Sequence, residues 1–522
     1  MIREFYGNYV AFLCNSVTKR RYVVRAPCST LPCLHTRVQR VDVYFSSMET
    51  CAQLFPASFS VDLQHLVRTL VGPLLTDRTG LNEVREILPG FCEELGGATR
   101  SCELYWDPVE IATSNPIESF PLAVAQLRSA ILSAAHAWAS RMPRILHALS
   151  GGLDSSIVLS CLYTAPTLPA ITCLTHFAEG AEGDERPFAR AAARQFDCPH
   201  LEVERSAQVD LRGALHGLRF ESNPGMRVRD IERIEPDIAR EINADALTKG
   251  LGGDELFCRH HSYLYAADLL RDRGVSVELF DLLAHSAIFE GETLWTILWR
   301  VMKGAWLPQR WNVAAIFHRE QQQESLLNRD ILATIESADD FGSPYARTTR
   351  KCGPGKLWQI DHATARRPYS SVWWREGDPQ SLAPFLSQNV VETCLRIPTY
   401  FAVANRGERA VARAAFAELP PEVIARRSKG GSEELAWRTL RANLPFMREL
   451  LLDGELARQR IVNRALLEAA LADDPTSGIH STVPLFELVG AEAWLAPWAA
   501  GAIRSEPSRT AESSAASGHP AG

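Results

Sequence analysis

"RILHALSGGLDSSIVLS", residues 144–160, decides how the chain is read. Five mostly apolar residues run into Ser150-Gly151-Gly152-Leu153-Asp154-Ser155-Ser156, and an apolar-periodic segment follows at once. The pattern predicts a strand that turns through glycines straight into a helix. Glycines permit positive φ and close backbone approach. The helix aims its unpaired N–H groups and positive dipole end back into the loop. Such a turn holds phosphate oxygens, and the three serines can add hydroxyl donors. Leu149, Ser150, Gly151, Gly152, Leu153, Asp154, Ser155 and Ser156 are therefore the candidate nucleotide-binding residues. Asp154 repels phosphate; its chemistry suits Mg²⁺, which bridges carboxylate to phosphate through hard oxygen ligands. The lysine of a G-x-x-x-x-G-K-[ST] loop is absent. A Gly-Gly turn with a capping aspartate is the bland alternative, and the paired serines in a strand–helix seam argue against it.

Around this seam the pattern alternates. Strand "RILHAL" is followed by strand "AITCLTHF", helix "DERPFARAAARQF", strand "HLEVE", helix "IEPDIAREI" and strand "DALTKG". Alternating strands and helices predict an α/β fold with a parallel sheet covered on both faces. Residues 1–115 read as β-rich, with "YGNYVAFLC", "RRYVVRA" and "RVDVYFSS" as short strands and "DLQHLVRTLVGPLL" as a helix. "YWDPVEIATSNPIESFP" holds three prolines and reads as a linker. An alanine-rich helix, "LAVAQLRSAILSAAHAWASRM", opens the second unit, 116–503, which turns predominantly helical after about 260. The tail 504–522 is small, polar and predicted to be disordered. Net charge is −7 and the sequence pI is about 6.1. That balance argues against a general nucleic-acid or anionic-membrane binder. The twelve cysteines include no C-x-x-C pair, so they read as reduced thiols. With no signal-peptide core and no spanning apolar run, the expectation is a soluble, cytoplasmic chain.

The loop resembles the pyrophosphatase-type S-G-G-x-D-S segment of enzymes that cleave ATP to AMP and pyrophosphate. A second motif, "LTKGLGGDELFCRHHSY", carries Gly250-x-Gly252-Gly253-Asp254-Glu255 after a strand. It resembles the G-x-G-x-D-E-L-F segment of the asparagine synthetase superfamily. That resemblance implies a doubly wound adenine-nucleotide-hydrolase-like (PP-loop) synthetase domain binding ATP and Mg²⁺. Asp154 and Asp254 become the metal carboxylates, Gly250, Gly252 and Gly253 join the nucleotide site, and Thr175 falls on the strand lining the adenine. Asp184-Glu185, at a helix start, is read chiefly as a cap. "LAPFLSQNVVETCLRIP" looks like the family's P-F-L-D…L-P segment, with Ser387 in place of the aspartate. "GERAVARAAFAELPPEVIARRSKGG" looks like its R…L-P-x-x-[IV]…R-x-x-K-G segment. Lys429 is thereby implied as the catalytic lysine over the pyrophosphate, with Arg409, Arg413, Arg426 and Arg427 as candidate assistants.

The N-terminal unit resembles a truncated, glutaminase-like (Ntn-like) domain that has lost its nucleophile. Residue 2 is Ile2, where the family has cysteine, and the R-D-P-x-G segment carries Ala26 and Ser29. The amine must then come from elsewhere. Leu251 stands where asparagine synthetases carry glutamate and β-lactam synthetases tyrosine. The L-P-Cys33 echo and the R-x-x-x-R-x-A-F segment look most like lasso-peptide cyclases. This implies macrolactam closure of a precursor core peptide, with a leader-peptide-binding protein and a leader protease as partners. An asparagine or β-lactam synthetase-like enzyme acting on a small amino acid, and a non-catalytic scaffold, are the alternatives. His260, His261 and Glu255 lie near the site in sequence, and none is singled out as the base.

Overall fold

The computed structural model of this 522-residue chain describes residues 6–55, 59–71, 75–96, 101–178, 184–206, 209–215, 222–223, 234–259, 262–306, 326–333, 343–345, 351–364, 378–426, 433–472 and 482–499. The N-terminal region is β-rich. Strands β1 (Val10–Cys14), β2 (Arg21–Arg25), β3 (Leu34–Val38), β4 (Val41–Phe45), β5 (Arg85–Glu86), β6 (Phe91–Leu95) and β7 (Cys102–Leu104) form two antiparallel sheets. Their orders are β1-β2-β6-β7 and β4-β3-β5. Arg25 joins the sheets: its Nη1 donates to Glu86 Oε1 at 2.6 Å and to the Ile87 carbonyl at 2.7 Å. The guanidinium is buried, and removing Glu86 would strand it, a loss of about 3–5 kcal/mol for a buried pair.

Strands β8 (Arg144–Ala148), β9 (Ala170–Phe177), β10 (His200–Glu204), β11 (Ala246–Lys249) and β12 (Gln380–Leu382) build one parallel sheet, ordered β10-β9-β8-β11-β12. Parallel strands need crossovers, and these bring helices onto both faces. The helices α1 (Phe120–Ala139), α2 (Leu153–Tyr163), α3 (Arg186–Gln195) and α4 (Ile234–Glu241) belong to this layer. Residues 155–162 of α2 are all buried, so this helix is a core element rather than an amphipathic cover. Winding reverses between β8 and β11, and in open α/β sheets ligands bind at the strand ends beside such a reversal. Register sharpens the point. Ala148 pairs with Lys249, so the two strands end level and Leu149 and Gly250 leave the sheet side by side.

The chain after residue 260 is mostly helical, with α5 (Ser262–Arg273), α6 (Val277–Glu290), α7 (Leu294–Trp306), α8 (Pro354–Thr364), α9 (Gln388–Arg396), α10 (Ala410–Ala415), α11 (Pro421–Ala425) and α12 (Val483–Ala499) among its elements. Strand β12 interrupts that predominantly helical half and was not anticipated from the sequence; it is only three residues long. Among the described residues no helix is long and apolar enough to cross a membrane.

The stretch expected to be a linker is not one. Within residues 105–121 a helix forms at Pro108–Thr113, with Asp107 Oδ1 accepting from the Val109 and Glu110 N–H groups at 2.8 and 3.2 Å. An aspartate N-cap followed by proline at the first helical position is a helix start. Counting prolines hid it. Trp106, Val109, Ala112 and Ile117 are buried in one core with Leu75, Leu88 and the apolar faces of α1 and α2. The tail 504–522 lies outside the described residues.

Candidate active site

The strand ends hold the two motifs together through a buried histidine. His147 Nε2 lies 2.9 Å from the Ser155 carbonyl, which can only accept, so Nε2 carries the proton. Nδ1 then accepts from the Thr248 hydroxyl at 2.8 Å. Burial pushes the His147 pKa down to about 4, keeping the ring neutral. One side chain thus rivets β8, the first turn of α2 and β11.

Two glycines let the motifs close on each other. A Cβ on Gly250 would stand 2.5 Å from the Ser155 backbone nitrogen, and one on Gly253 2.3 Å from Asp154 Cγ. At Gly250 the obstacle is backbone, so only glycine fits; at Gly253 it is the Asp154 carboxylate, which a side chain would push aside. Gly151 and Gly252 supply the positive-φ turns of the two loops. In the phosphate loop the hydroxyls turn on one another. Ser155 Oγ accepts from the Ser150 N–H at 3.3 Å, and Ser150 Oγ accepts from the Gly152 N–H at 3.3 Å. Ser156 Oγ is buried with no hydrogen-bond partner, a polar atom of the kind a ligand oxygen satisfies. Helix α2 has no side-chain cap at Gly152, which leaves its positive end for an anion. Leu149 and Leu153 are buried beneath the loop.

The carboxylates of Asp154 and Asp254 converge on one cationic atom. Arg409 Nη1 lies 3.3 and 3.1 Å from the two oxygens of Asp154 and 3.3 Å from Asp254 Oδ1. Arg259 Nη1 reaches both Asp254 oxygens at 3.4 Å. Glu408 closes the network: Arg409 and Arg413 each place Nη2 3.4 Å from its Oε1. Two carboxylates focused on one point form a donor set suited to Mg²⁺. Among the described residues no group of three or more His, Cys, Asp or Glu side chains could hold a metal ion. Two carboxylates completed by substrate phosphates is a usual way to bind this ion.

The other predicted positions fall at different distances from this centre. Thr175 Oγ1 donates to the Leu149 carbonyl at 2.5 Å and lies 2.7 Å from His200 Nε2, so its hydroxyl is engaged in holding the loop's entry. Glu185 does not cap α3. It accepts from Arg426 Nη2 at 2.6 Å, while Arg426 Nη1 donates to the Ser150 carbonyl at 3.3 Å. Asp184 makes the local bond instead, to the Arg186 N–H at 3.0 Å. Arg426 also stacks on Phe188, its guanidinium carbon 4.4 Å from the ring centroid. Arg413 donates to the carbonyls of Ile424 and Arg426, tying α10 to α11. Glu255 sits on the short helix Gly253–Leu256, half-buried. Lys429, Arg427, His260 and His261 lie outside the described residues. Sequence reasoning missed Arg259, Glu408 and His147. A histidine inside an apolar strand was the one available signal.

Compared with known proteins, the chain matches the asparagine synthase family over residues 127–496, well over half its length. No curated protein matches it. Among solved structures it is similar to a glutamine-dependent NAD+ synthetase from Acinetobacter baumannii in complex with adenosine diphosphate. The two are 12% identical over 67% of this chain and 84% of that one, with a TM-score of 0.20. At that score the likeness carries no argument.

Proposed function

Because the chain belongs to the asparagine synthase family, we propose that it is an ATP-dependent amide synthetase, and that it closes a macrolactam in a lasso-type precursor peptide in the cytoplasm. Family membership supports ATP-dependent amide synthesis in general. The carrying observation for the ATP site is the meeting of the Ser150–Ser156 loop and the Gly250–Asp254 segment at the sheet's reversal, with two carboxylates on one point. The finer reading rests on sequence: Ala26 and Ser29 within the glutaminase-like segment, and Leu251 where the relatives carry an acid or a tyrosine.

In this reading the loop N–H groups and serine hydroxyls grip the β- and γ-phosphates. Asp154 and Asp254 would hold Mg²⁺, which when bound neutralises phosphate charge. A side-chain carboxylate oxygen of the peptide bonds to the α-phosphorus, the bond to the β-phosphate oxygen breaks, and pyrophosphate leaves. The peptide's N-terminal amine then bonds to the acyl carbon, the bond to AMP breaks, and the amine's extra proton is released. Lys429 is assigned to the charge developing on pyrophosphate. Holding both ends of one peptide makes the second step intramolecular, which can offset about 7–11 kcal/mol of barrier in well-oriented cases. A leader-binding protein and a leader protease deliver the trimmed peptide.

The test is mass spectrometry of a candidate core peptide incubated with the chain, the leader protease, ATP and Mg²⁺, with the nucleotide product scored alongside. A peptide lighter by one water, with AMP formed and both lost in Asp154→Ala, is the expected result. AMP without dehydrated peptide would refute the macrolactam and redirect the search to small amino acids. Neither product, from a folded chain that binds no ATP, would refute the synthetase.

A further inference from the structure

We infer that Arg409 occupies the divalent-cation seat while the nucleotide site is empty, so that metal and ATP enter as one unit. The inference rests on the ATP-site reading above and goes beyond it. Arg409 Nη1 stands 3.1 to 3.3 Å from three carboxylate oxygens belonging to both Asp154 and Asp254. A guanidinium so placed and a dication cannot share those oxygens, because their charges would repel at contact distance. One must leave.

The side chain is built for leaving. Its Nε is buried without a hydrogen-bond partner, although the side chain is only 8% exposed. Its contacts to the carboxylates are longer than the 2.7–2.9 Å of a tight charge-assisted bond. Its residue is held in the left-handed backbone region, at φ +54°, immediately before α10. That conformation is disfavoured for arginine, and it aims the guanidinium back across the sheet end at the loop. A place to go lies alongside. The planar fork matches phosphate bidentately, and the loop that would carry the triphosphate holds Asp154 itself. Glu408 lies 3.4 Å from Nη2 of both Arg409 and Arg413 and 3.9 Å from Arg259 Nε, so this carboxylate keeps cationic neighbours when Arg409 pivots.

The consequence is ordered loading. Without nucleotide, the seat carries its own positive charge and a free metal ion finds two neutralised carboxylates. With a triphosphate, the guanidinium transfers to phosphate oxygens and the carboxylate oxygens it faced open to the accompanying cation, while Arg259 stays 3.4 Å from Asp254.

The probe is Mn²⁺ on the full chain, counted by the electron paramagnetic resonance signal of the free ion, with and without a non-cleavable α,β-methylene ATP analogue. Wild type should bind Mn²⁺ at least tenfold more weakly without the analogue than with it. Arg409→Met should bind Mn²⁺ without the analogue at least tenfold more tightly than wild type, and adding Asp254→Asn should abolish the gain. Arg409→Gln, also neutral, should behave alike and serves if the methionine variant does not fold. Equal Mn²⁺ affinity in wild type and the neutral variants without nucleotide would overturn the inference. So would a gain that survives Asp254→Asn. Failure of the ATP-site reading looks different: no analogue bound by any of the chains.

Discussion

At Gly253 a single methyl group decides whether the site exists. Its Cβ would lie 2.3 Å from Asp154 Cγ and 2.5 Å from Oδ1. The obstacle is the end of a short side chain, so the aspartate can swing aside and the fold survive. Gly253→Ala should therefore leave the melting temperature within a few degrees of wild type and lower AMP formation about 100-fold, the usual cost of a displacement near 1 Å. Differential scanning fluorimetry beside a nucleotide assay checks both halves. Gly250→Ala should behave differently, because its Cβ meets the Ser155 backbone nitrogen at 2.5 Å and backbone cannot swing. Loss of stability and activity together is the expected outcome there. At this scale the sequence was legible where chemistry and spacing coincide, as in Gly151, Gly152 and Asp154 with Gly250 to Asp254. Arg259 and Glu408 were illegible because nothing local marks them: each matters only through side chains that arrive from distant segments. Glu185 was misread for the same reason, since its partner Arg426 lies 241 residues on.

Among elements, the join between α5 and α8 has a pH signature. Asp268 Oδ1 accepts from the Gly355 N–H at 2.9 Å, and Oδ2 accepts from the Lys356 N–H at 2.8 Å and the Thr399 hydroxyl at 2.6 Å. It caps a helix from outside that helix. Burial nevertheless raises its pKa to about 6; the hydrogen bonds from Thr399 and Gly355 oppose the rise, nearby Asp272 adds to it, and the Lys356 ammonium opposes it. A folded pKa above the ordinary 3.8 means that the native chain binds this proton more tightly than the unfolded one. The resulting stability is fully present below pH 3.8 and is lost as pH rises through 6. Its ceiling is about 3 kcal/mol. Urea unfolding of wild type and Asp268→Asn from pH 4 to 7.5 should show the gap between them narrowing by up to that amount. A constant gap would mean the carboxyl titrates normally. Element types were the most readable part of the chain, as the strands at 170–177 and 200–204 show. The helix at 108–113 was lost because proline content outweighed a capping pattern, and β12 because three residues carry no period.

For the whole molecule, the feature least visible in the sequence is that the β-rich N-terminal region and the parallel sheet share a core. Trp106 is buried in the same core cluster as Leu88, Val109, Leu127 and Ile131, and its Nε1 donates to Glu392 Oε1 on α9 at 3.0 Å. Boundaries drawn from composition cannot anticipate a core made by both sides. Trp106→Ala should cost about 3–5 kcal/mol and lower a single melting transition followed by circular dichroism and by fluorescence. Two separated transitions would show the regions folding independently. The long reach of Arg409 also sets a timetable. It contacts Asp154 across 255 residues, so at about 5–20 residues per second of synthesis some 13–50 seconds separate the two at the ribosome. Throughout that interval the nascent phosphate loop has an aspartate without its guanidinium. A chain interrupted before residue 409 would own the loop and lack this counter-charge, so the charge balance around Asp154 is completed late in its translation.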